Sequence, residues 1–317
     1  MAGRKSLISW LAALLLLGTC LAGSGWAAGP VVVLLSDDDQ AYGAPLAAFN
    51  SELALPVQVF QLGGDVQRAP AVMGQILAAR PALIFALGAK AAYVAKTWTA
   101  DYPEIPVLFA MVLNWERYQL AEGQANVTGV ALETGPGSLF AYLAMICPQA
   151  QRIGVVYSQE HSGQMVAEAR VQAALLGLEL VAEPLSRPQD LQPVVRGMEG
   201  RIDAFWIIPD PVLYTLDNIG WLTKRCVRDR LPCLGPSRSI ASVGLLAAVD
   251  PDHTAIGHQA AAMARRLLAG EPARELGVEP PLGTRLILNT RTAGRIGLTL
   301  NREALGLSSE IIDGAGE

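Results

Sequence analysis

The stretch VVVLLSDDDQAYG, from Val31 to Gly43, joins an unbroken apolar run of five residues to three consecutive aspartates. An apolar run without alternation is typical of a strand that is buried on both faces, as in a parallel sheet covered by helices. Three adjacent carboxylates repel one another, and no basic residue lies near them in the sequence. The position of this strand end in the fold therefore decides whether the aspartates form a metal site, an acid pair or the rim of a pocket.

The same kind of apolar run recurs along the chain. In the first half the predicted strands are VVVLL, VQVFQL, LIFALG and PVLFAM, beginning at residues 31, 57, 83 and 106. In the second half they are IGVVYS, LELVAE, AFWIIP and LPCLG, beginning at residues 153, 178, 204 and 231. Within each half the starts lie about 25 residues apart, the length of one strand plus one crossover helix. The chain therefore repeats one α/β architecture twice.

The segments between the strands have apolar residues at helical spacing. SGQMVAEARVQAALLGLEL is expected to form a helix with Ser162 as its N-cap and Gly177 at its C-terminal end. DHTAIGHQAAAMARRLLAGEP, from Asp252, shows the same design. The segment TRLILNTRTAGRIGL, from Thr284, predicts a last strand and a short helix.

The predicted fold class is α/β, with two Rossmann-like lobes that contain parallel sheets and are joined by a multi-strand hinge. The chain is expected to cross between the lobes near residues 126–138 and again near residues 243–252. We assign residues 28–133 and about 252–283 to lobe 1, and residues 134–251 and about 284–317 to lobe 2. A cleft between two hinged lobes is a natural ligand site.

Residues 1–27 have the pattern of a secretory signal peptide. Arg4 and Lys5 precede an apolar run at residues 7–17 that is too short to span a bilayer, and small residues follow it. Cleavage after Ala27 would leave a soluble exported chain, whereas lipidation of Cys20 would tether it. A retained membrane anchor is a third alternative. Cleavage and lipidation both predict a periplasmic location.

The net charge of the 317-residue chain is −5 at pH 7. This charge argues against nucleic acid or an anionic membrane surface as a partner. A small molecule is the expected partner, and a monomer is the expected state of a hinged binder.

Three cysteines follow the predicted signal peptide: Cys147, Cys226 and Cys233. Cys226 and Cys233 are candidates for a disulfide, because a helix end and the start of the next strand can come close in an exported protein. The alternative is that all three are buried as small apolar side chains. With three histidines and no clustered cysteines, the chain lacks zinc ligands at usable spacing.

Polar, aromatic and charged residues collect where the predicted strands end, which is where open parallel sheets bind ligands. In lobe 1 the candidate ligand contacts are Ser36, Asp37, Asp38, Tyr42, Gly88, Ala89, Lys90, Asn114 and Trp115. In lobe 2 they are Ser158, His161, Ser162, Asp210, Tyr214, Ser237 and Arg238.

Several of these candidates have a specific expected role. One aspartate of residues 37–39 is expected to cap the following helix, and a second to face the cleft, where it could hold a ligand ammonium group. Asp210, between two prolines, is expected in the pocket. Lys90 is a candidate to neutralise a ligand carboxylate. The rings of Tyr42, Trp115 and Tyr214 either stack on a planar ligand or pack in the core.

The sequence contains no G-x-S-x-G nucleophile elbow, no Walker loop and no G-x-G-x-x-G. His161 stands beside Ser162, but sequence neighbours at a helix start rarely face each other. The residues around the three aspartates do not offer the alternating oxygen ligands of a calcium loop. No enzyme activity, cofactor or metal is therefore expected.

Seven stretches resemble one family in order along the chain. They are ALIFALGAKAA, IPVLFAMVLN, NVTGVALE, RIGVVYSQEHSG, DAFWIIPDP, GLLAAVDPDHTAIGHQAAAMARRLLAG and LILNTRTAGRIGL. Together they resemble the substrate-binding proteins of ABC importers, in the branch typified by tryptophan- and tyrosine-binding proteins. The resemblance implies a type I periplasmic-binding-protein fold, a small and perhaps-amino-acid-like ligand class enclosed between two lobes, and an ATP-driven permease in the inner membrane as partner.

The chain departs from this family at three expected ligand positions. Ala89-Lys90 stands where small hydroxyl residues are usual, Asn114-Trp115 replaces Asp-Pro, and His161-Ser162 replaces Asn-Ser. The resemblance therefore does not imply an aromatic amino acid as ligand. The leading hypothesis is a solute-binding protein of an importer. A sensor that docks on a membrane receptor is the alternative, and a periplasmic hydrolase is the weakest.

Overall fold

The computed structural model of this protein describes residues 29–313. The predicted signal peptide and Cys20 lie outside these residues. Within the described part, the helices are too short or too polar to cross a membrane.

Apolar runs form the strands of the structure, as the sequence predicts. The first five are β1 (Val31–Leu35), β2 (Val57–Gln61), β3 (Leu83–Leu87), β4 (Val107–Ala110) and β5 (Val127–Val130). The next five are β6 (Arg152–Tyr157), β7 (Glu179–Pro184), β8 (Ala204–Trp206), β9 (Cys233–Gly235) and β10 (Ala247–Pro251). The last three are β11 (Val278–Glu279), β12 (Thr284–Asn289) and β13 (Ser308–Ile312).

Helices cover both faces of the strands. Those of the first half are α1 (Gly43–Leu53), α2 (Ala69–Ala78), α3 (Ala89–Trp98) and α4 (Pro136–Ile146). The next four are α5 (Gln159–Leu175), α6 (Leu191–Gly197), α7 (Leu216–Arg228) and α8 (Arg238–Ser242). The last four are α9 (His253–Leu268), α10 (Ala273–Leu276), α11 (Thr290–Ile296) and α12 (Arg302–Leu307).

The strands form two sheets, one in each lobe. The lobe 1 sheet has the order β11-β5-β4-β3-β1-β2, and the lobe 2 sheet has the order β13-β12-β10-β9-β8-β6-β7. All pairs are parallel except β10 with β12, which is antiparallel. The first five strands of each lobe thus follow the same order, and the chain has the predicted fold class of two Rossmann-like lobes.

Three crossings of the chain join the lobes, at residues 131–135, 251–252 and 280–283. They lie side by side. The Thr134 hydroxyl donates to the Val249 carbonyl over 3.4 Å, and the Asp252 amide donates to the Gly283 carbonyl over 2.9 Å. Hydrogen bonds between the crossings make them one hinge rather than three independent linkers.

Each lobe has its own apolar core. In lobe 1 the rings of Phe49 and Phe85 stack with centroids 4.2 Å apart, and both are fully buried. In lobe 2 the Phe140 ring meets Trp206 edge-on at 5.2 Å. Helix α9 returns to lobe 1 and packs its apolar face on that core with α1. Burial of separate cores allows the lobes to move as units about the hinge.

Two details differ from the sequence predictions. The helix expected to begin after Ser162 begins at Gln159, with Ser158 at its N-cap position, so Ser162 lies in the first turn and the predicted N-cap is wrong. The serine instead uses its hydroxyl for a buried partner, described below. The predicted last strand and short helix are β12 and α11, and α12 and β13, which follow them, were missed.

The structure joins Cys226, near the end of α7, to Cys233, at the start of β9, by a disulfide with Cα atoms 6.2 Å apart. Of the alternatives that the sequence leaves open, it thus has the pair bonded. Cys147 is free and buried. Burial raises the pKa of the Cys147 thiol to about 11, so it stays protonated and unreactive at neutral pH.

Candidate functional site

A cavity of about 310 Å³ lies between the lobes, at the carboxyl ends of the strands. Most of its wall is apolar: Leu113, Leu132, Pro136, Leu139, Met165, Trp206, Pro209, Pro236 and Pro251. Its polar lining is Glu133, Thr134, Ser237, Asp250 and His253. An apolar cavity with a few convergent polar groups is the usual form of a small-molecule site.

The polar lining comes mainly from the hinge. Glu133 and Thr134 belong to the first crossing, and Asp250 and His253 flank the second. These positions follow β5 and end β10, so two strand ends from different sheets supply the charges. A closing movement about the hinge would therefore bring both lobes onto one set of polar groups.

Glu133 accepts a hydrogen bond from the backbone N–H of Asn114. Burial raises the pKa of the Glu133 carboxyl, and the negative charge of Glu116 adds to the effect. Among the described residues, no Lys, Arg or His forms an ion pair with Glu133. Its charge at neutral pH is thus partly desolvated and has no cationic partner.

Asp250 accepts the backbone N–H of Arg238 at both carboxylate oxygens, each at 3.1 Å. Burial raises the pKa of Asp250, against the opposing effects of that N–H, His253 and Arg285. Burial lowers the pKa of His253, although the charges of Asp250 and Asp252 act in the other direction. At neutral pH the cavity therefore carries two carboxylates and a largely neutral imidazole.

Sequence reasoning did not select Glu133, Asp250 or His253. All three lie in stretches recognised only as crossings between lobes, around LETG and AVDPDH. A signal was available, because a hinge segment must border the cleft that it closes. Charged residues in a predicted hinge therefore deserve the same weight as those at strand ends.

At the lobe 1 strand ends, Ser36, Tyr42 and Gly88 form a packed group. The Ser36 hydroxyl accepts the Ala91 N–H at 2.9 Å and so holds the start of α3. Gly88 has φ +90°, and a Cβ there would lie 2.2 Å from the Tyr42 hydroxyl oxygen. Burial and the negative charge of Asp37 raise the pKa of the Tyr42 hydroxyl. The glycine is required both by its backbone conformation and by the close approach of Tyr42.

The three consecutive aspartates have different environments. The Asp39 carboxylate accepts the Ala41 N–H at 2.9 Å and caps the short 3-10 turn before α1, so the expected capping role is confirmed for this residue. The Asp37 carboxylate accepts the Asp39 N–H at 3.0 Å. Asp38 is exposed. Among the described residues, no group of three metal-ligating side chains lies close enough to hold a metal ion.

Lys90 and Ala89 open helix α3. The Lys90 ammonium donates to the Gly64 carbonyl over 2.6 Å. The Ala89 side chain packs on the lobe 1 core. The ligand roles predicted for both stay predictions, and the structure gives Lys90 a partner within its own lobe.

Asp210 is buried and accepts four hydrogen bonds. One oxygen accepts the Ser158 N–H and the Ser162 hydroxyl, both at 2.8 Å. The other accepts the N–H groups of Val212 and Leu213 at 2.9 and 3.0 Å. Burial acts to raise the pKa of Asp210, but these hydrogen bonds outweigh it and the pKa is lowered. The carboxylate thus ties the end of β6 and the first turn of α5 to the loop after β8.

The predicted aromatic contacts pack within the lobes. The Tyr214 hydroxyl donates to the Val156 carbonyl at 2.7 Å, and burial raises its pKa. The Trp115 ring lies 6.1 Å from the Phe109 ring, centroid to centroid, against the lobe 1 core. Both positions fit the core-packing alternative that the sequence left open.

Three predicted residues of lobe 2 lie nearer to solvent. His161 is exposed, with its Nδ1 atom 3.1 Å from the Ser158 hydroxyl. The Arg238 guanidinium is directed to Glu310, with Nε 2.5 Å from the carboxylate. Ser237 contacts Ser239 over 2.9 Å. Of the predicted ligand contacts, all within residues 29–313, Ser237 alone lines the cavity.

A second cavity, of about 320 Å³, lies at the opposite end of lobe 1, where β4 and β5 begin. Its wall includes Glu104, Asn126 and Arg274. It borders the amino ends of the strands and involves lobe 1 alone. Because ligands of open α/β sheets bind at the carboxyl ends of strands, the cavity between the lobes is the candidate site.

Two Rossmann-like lobes of equal strand order, with a hinge of three crossings and a cavity at the strand ends, define a type I periplasmic-binding-protein fold. Residues 56–312 match the family model described as ABC transporter substrate binding protein. The chain belongs to this family, which is a solute-binding rather than an enzymatic one. No curated protein matches the chain in sequence.

Solved structures of similar fold come from distant relatives. A ligand-free, open structure of a substrate binding protein with adhesive properties from Clostridium difficile has 18% identity and a TM-score of 0.71, covering 89% of this chain and 98% of that one. An ABC domain in complex with L-Trp from Streptococcus pneumonia has 19% identity and a TM-score of 0.56, covering 90% of this chain and 100% of that one. At these identities the similarity concerns the fold.

Proposed function

We propose that this protein is an exported solute-binding protein that captures a small molecule between its lobes and delivers it to an ABC permease in the inner membrane. The cavity carries this proposal, because its wall is built from both lobes and the hinge. Closing the lobes on a ligand would remove it from water and create a distinct surface for the permease to recognise. Family membership supports the same function.

The proposal includes the lobe boundaries and the location. Residues 28–133 with about 252–283 form the first moving unit, and residues 134–251 with about 284–317 form the second. The membership of β11 in one sheet and β12 in the other supports this division. The protein acts as a monomer in the periplasm, after signal cleavage or anchored through Cys20.

A cavity-filling substitution tests the site. We expect Met165→Trp to abolish capture of the ligand, because the larger indole would occupy space within the cavity of about 310 Å³. The matched control is Val171→Trp on the same helix, at a side chain that is 59% exposed. Protein purified from its own host is weighed by native mass spectrometry, then denatured, and the released compound is identified.

A compound released from the wild type and from Val171→Trp, but absent from Met165→Trp, would support binding in this cavity. Equal release from all three proteins would reject the site. Delivery is tested separately, by uptake of the identified compound in cells that lack the protein. Unchanged uptake would contradict the importer role and would favour a sensor that docks on a membrane receptor.

A further inference from the structure

We propose that the ligand is a small organic cation, an amine with an apolar body and no anionic group, held between Glu133 and Asp250. This inference rests on the proposed function and adds the chemical class of the solute. It depends on the contents of the cavity wall: two acidic side chains, one imidazole and nine apolar residues.

The first step concerns charge balance. A carboxylate that is removed from water needs a compensating charge. Glu133 has none among the described residues, since its recorded partners are backbone N–H groups and its charged neighbour is the acidic Glu116. A ligand cation would supply the missing charge on closure. The same cation would relieve the repulsion between Glu133 and Asp250.

The second step concerns the basic side chains around the cleft. The cavity lining contains no Lys or Arg. The Arg238 and Arg285 guanidinium groups both reach Glu310, at 2.5 and 3.6 Å, and Lys90 donates to the Gly64 carbonyl. The described lining therefore offers a ligand carboxylate no basic side chain, whereas it offers an ammonium group two carboxylates.

The third step concerns the rest of the ligand. Leu132, Leu139, Met165 and Trp206 line the cavity beyond the carboxylates. Burial of an apolar body against these side chains would be favourable, and the Trp206 ring can also face a cation. A cavity of about 310 Å³ is at the small end of ligand sites, which suits a compound of modest size.

A zwitterionic amino acid is the nearest competing ligand. Helix α4 begins at Pro136 in the cavity wall, and its free N–H groups could accept a carboxylate. The test therefore compares matched compounds that share one body: tryptamine, L-tryptophan, indole-3-propionate and 3-ethylindole, with phenyl and hexyl series of the same four end groups. Thermal shift and calorimetry at pH 7.5 measure binding to the full mature chain.

The expected result is that amines bind more tightly than their zwitterionic, anionic and neutral partners. Glu133→Gln and Asp250→Asn should each weaken amine binding by about ten-fold or more. Gln keeps an oxygen for the Asn114 N–H, so the change removes charge and little else. Glu104→Gln is the control, because this exposed carboxylate lies at the far end of lobe 1.

A readout without ligand shows whether the variants fold. Burial raises the pKa of both Glu133 and Asp250, so ionisation of each at neutral pH opposes folding. Their neutral variants should therefore raise the Tm of the ligand-free protein, by about 1–3 °C each. Weaker binding together with a higher Tm would assign the loss to charge and not to misfolding.

The pH gives a further check. Amine affinity should fall as the pH is lowered from 7.5 to 5.5, because protonation removes the negative charges of Glu133 and Asp250 and adds a positive charge at His253. The charged groups that face these three are Glu116, Glu310, Arg285, Asp252 and Asp39. The decline should be smaller in Glu133→Gln than in the wild type.

The outcomes separate this inference from the proposed function. If the host-purified protein releases a neutral, anionic or zwitterionic compound that Met165→Trp excludes, the assignment of a cation is wrong and solute binding stands. Amine binding that is unchanged in Glu133→Gln and Asp250→Asn would also overturn it. If no compound is released and no member of the three series binds, both the inference and the proposed function fail.

Discussion

Asp210→Ala should lower the free energy of unfolding by about 3–5 kcal/mol. The substitution removes the acceptor of four hydrogen bonds and leaves the N–H groups of Ser158, Val212 and Leu213 without their partner. Asp210 itself is 4% exposed, so water does not easily replace it. A loss of this size corresponds to a fall in Tm of about 10 °C in a protein of this length. Denaturant titration followed by circular dichroism measures it.

The control for this variant is Asp217→Ala, at an exposed residue in the first turn of α7, which should cost about 0.5 kcal/mol. The ligand readout separates two roles of Asp210. Because its carboxylate is occupied within lobe 2, the folded fraction of Asp210→Ala should still bind ligand. Normal stability with lost binding would contradict this account and restore the pocket role that the sequence suggested.

Acid should expose the same interaction. The pKa of Asp210 is lowered in the folded protein, so its contribution to stability is complete above the unfolded value of about 3.9 and is lost as the pH falls through the folded value. We therefore expect Asp210→Asn to show a smaller loss of stability between pH 5 and pH 2 than the wild type. The lower stability of this variant at pH 7 is the companion observation.

Gly257→Val should destabilise lobe 1 by about 3 kcal/mol, and Gly257→Ala by about 1–3 kcal/mol. A Cβ at this position would lie 2.3 Å from the Pro45 carbonyl oxygen and 2.7 Å from the Ala48 Cβ. The nearest obstacle is backbone, so no side-chain rotation can make room. Helices α1 and α9 would have to separate, and the buried contacts between them would be lost. Chemical denaturation measures the effect.

Gly220→Ala provides the matched control. Gly220 lies within α7, and a Cβ there would meet no atom within 4 Å, so this variant should gain up to about 1 kcal/mol from helix propensity. Opposite signs for the two Gly→Ala changes would show that packing decides the first. A Gly257→Ala variant as stable as the wild type would mean that α9 moves freely on α1.

The Gly257 variants also reach the site. Helix α9 begins at His253, in the wall of the cavity, and Asp252 caps it by accepting the Thr254 and Ala255 N–H groups at 2.9 and 3.2 Å. A shift of α9 would carry these residues with it. Ligand affinity should therefore fall in Gly257→Val along with stability, which would link the packing of lobe 1 to the geometry of the hinge.

Much of the architecture was predictable from local patterns. Unbroken apolar runs such as Val31–Leu35 are buried wherever they lie, so the strands and the parallel sheets follow from their composition. The order of helices and strands then implies two lobes that resemble each other. Ser162 shows the limit of this reasoning, because a serine three residues into a helix looks like an N-cap until the partner of its hydroxyl, Asp210, is known.

The sequence by itself thus determined the fold class, the two-lobe repeat and the family resemblance, because burial and helical spacing are properties of neighbouring residues. Only the tertiary structure decided which polar side chains face the cavity. The Asp210 carboxylate is occupied by groups from β6, α5 and its own loop, whereas Glu133 and Asp250, distant in sequence, meet at the hinge. Whether a polar group is free to meet a ligand depends on partners that the sheet order and the hinge bring together, and no local pattern contains them.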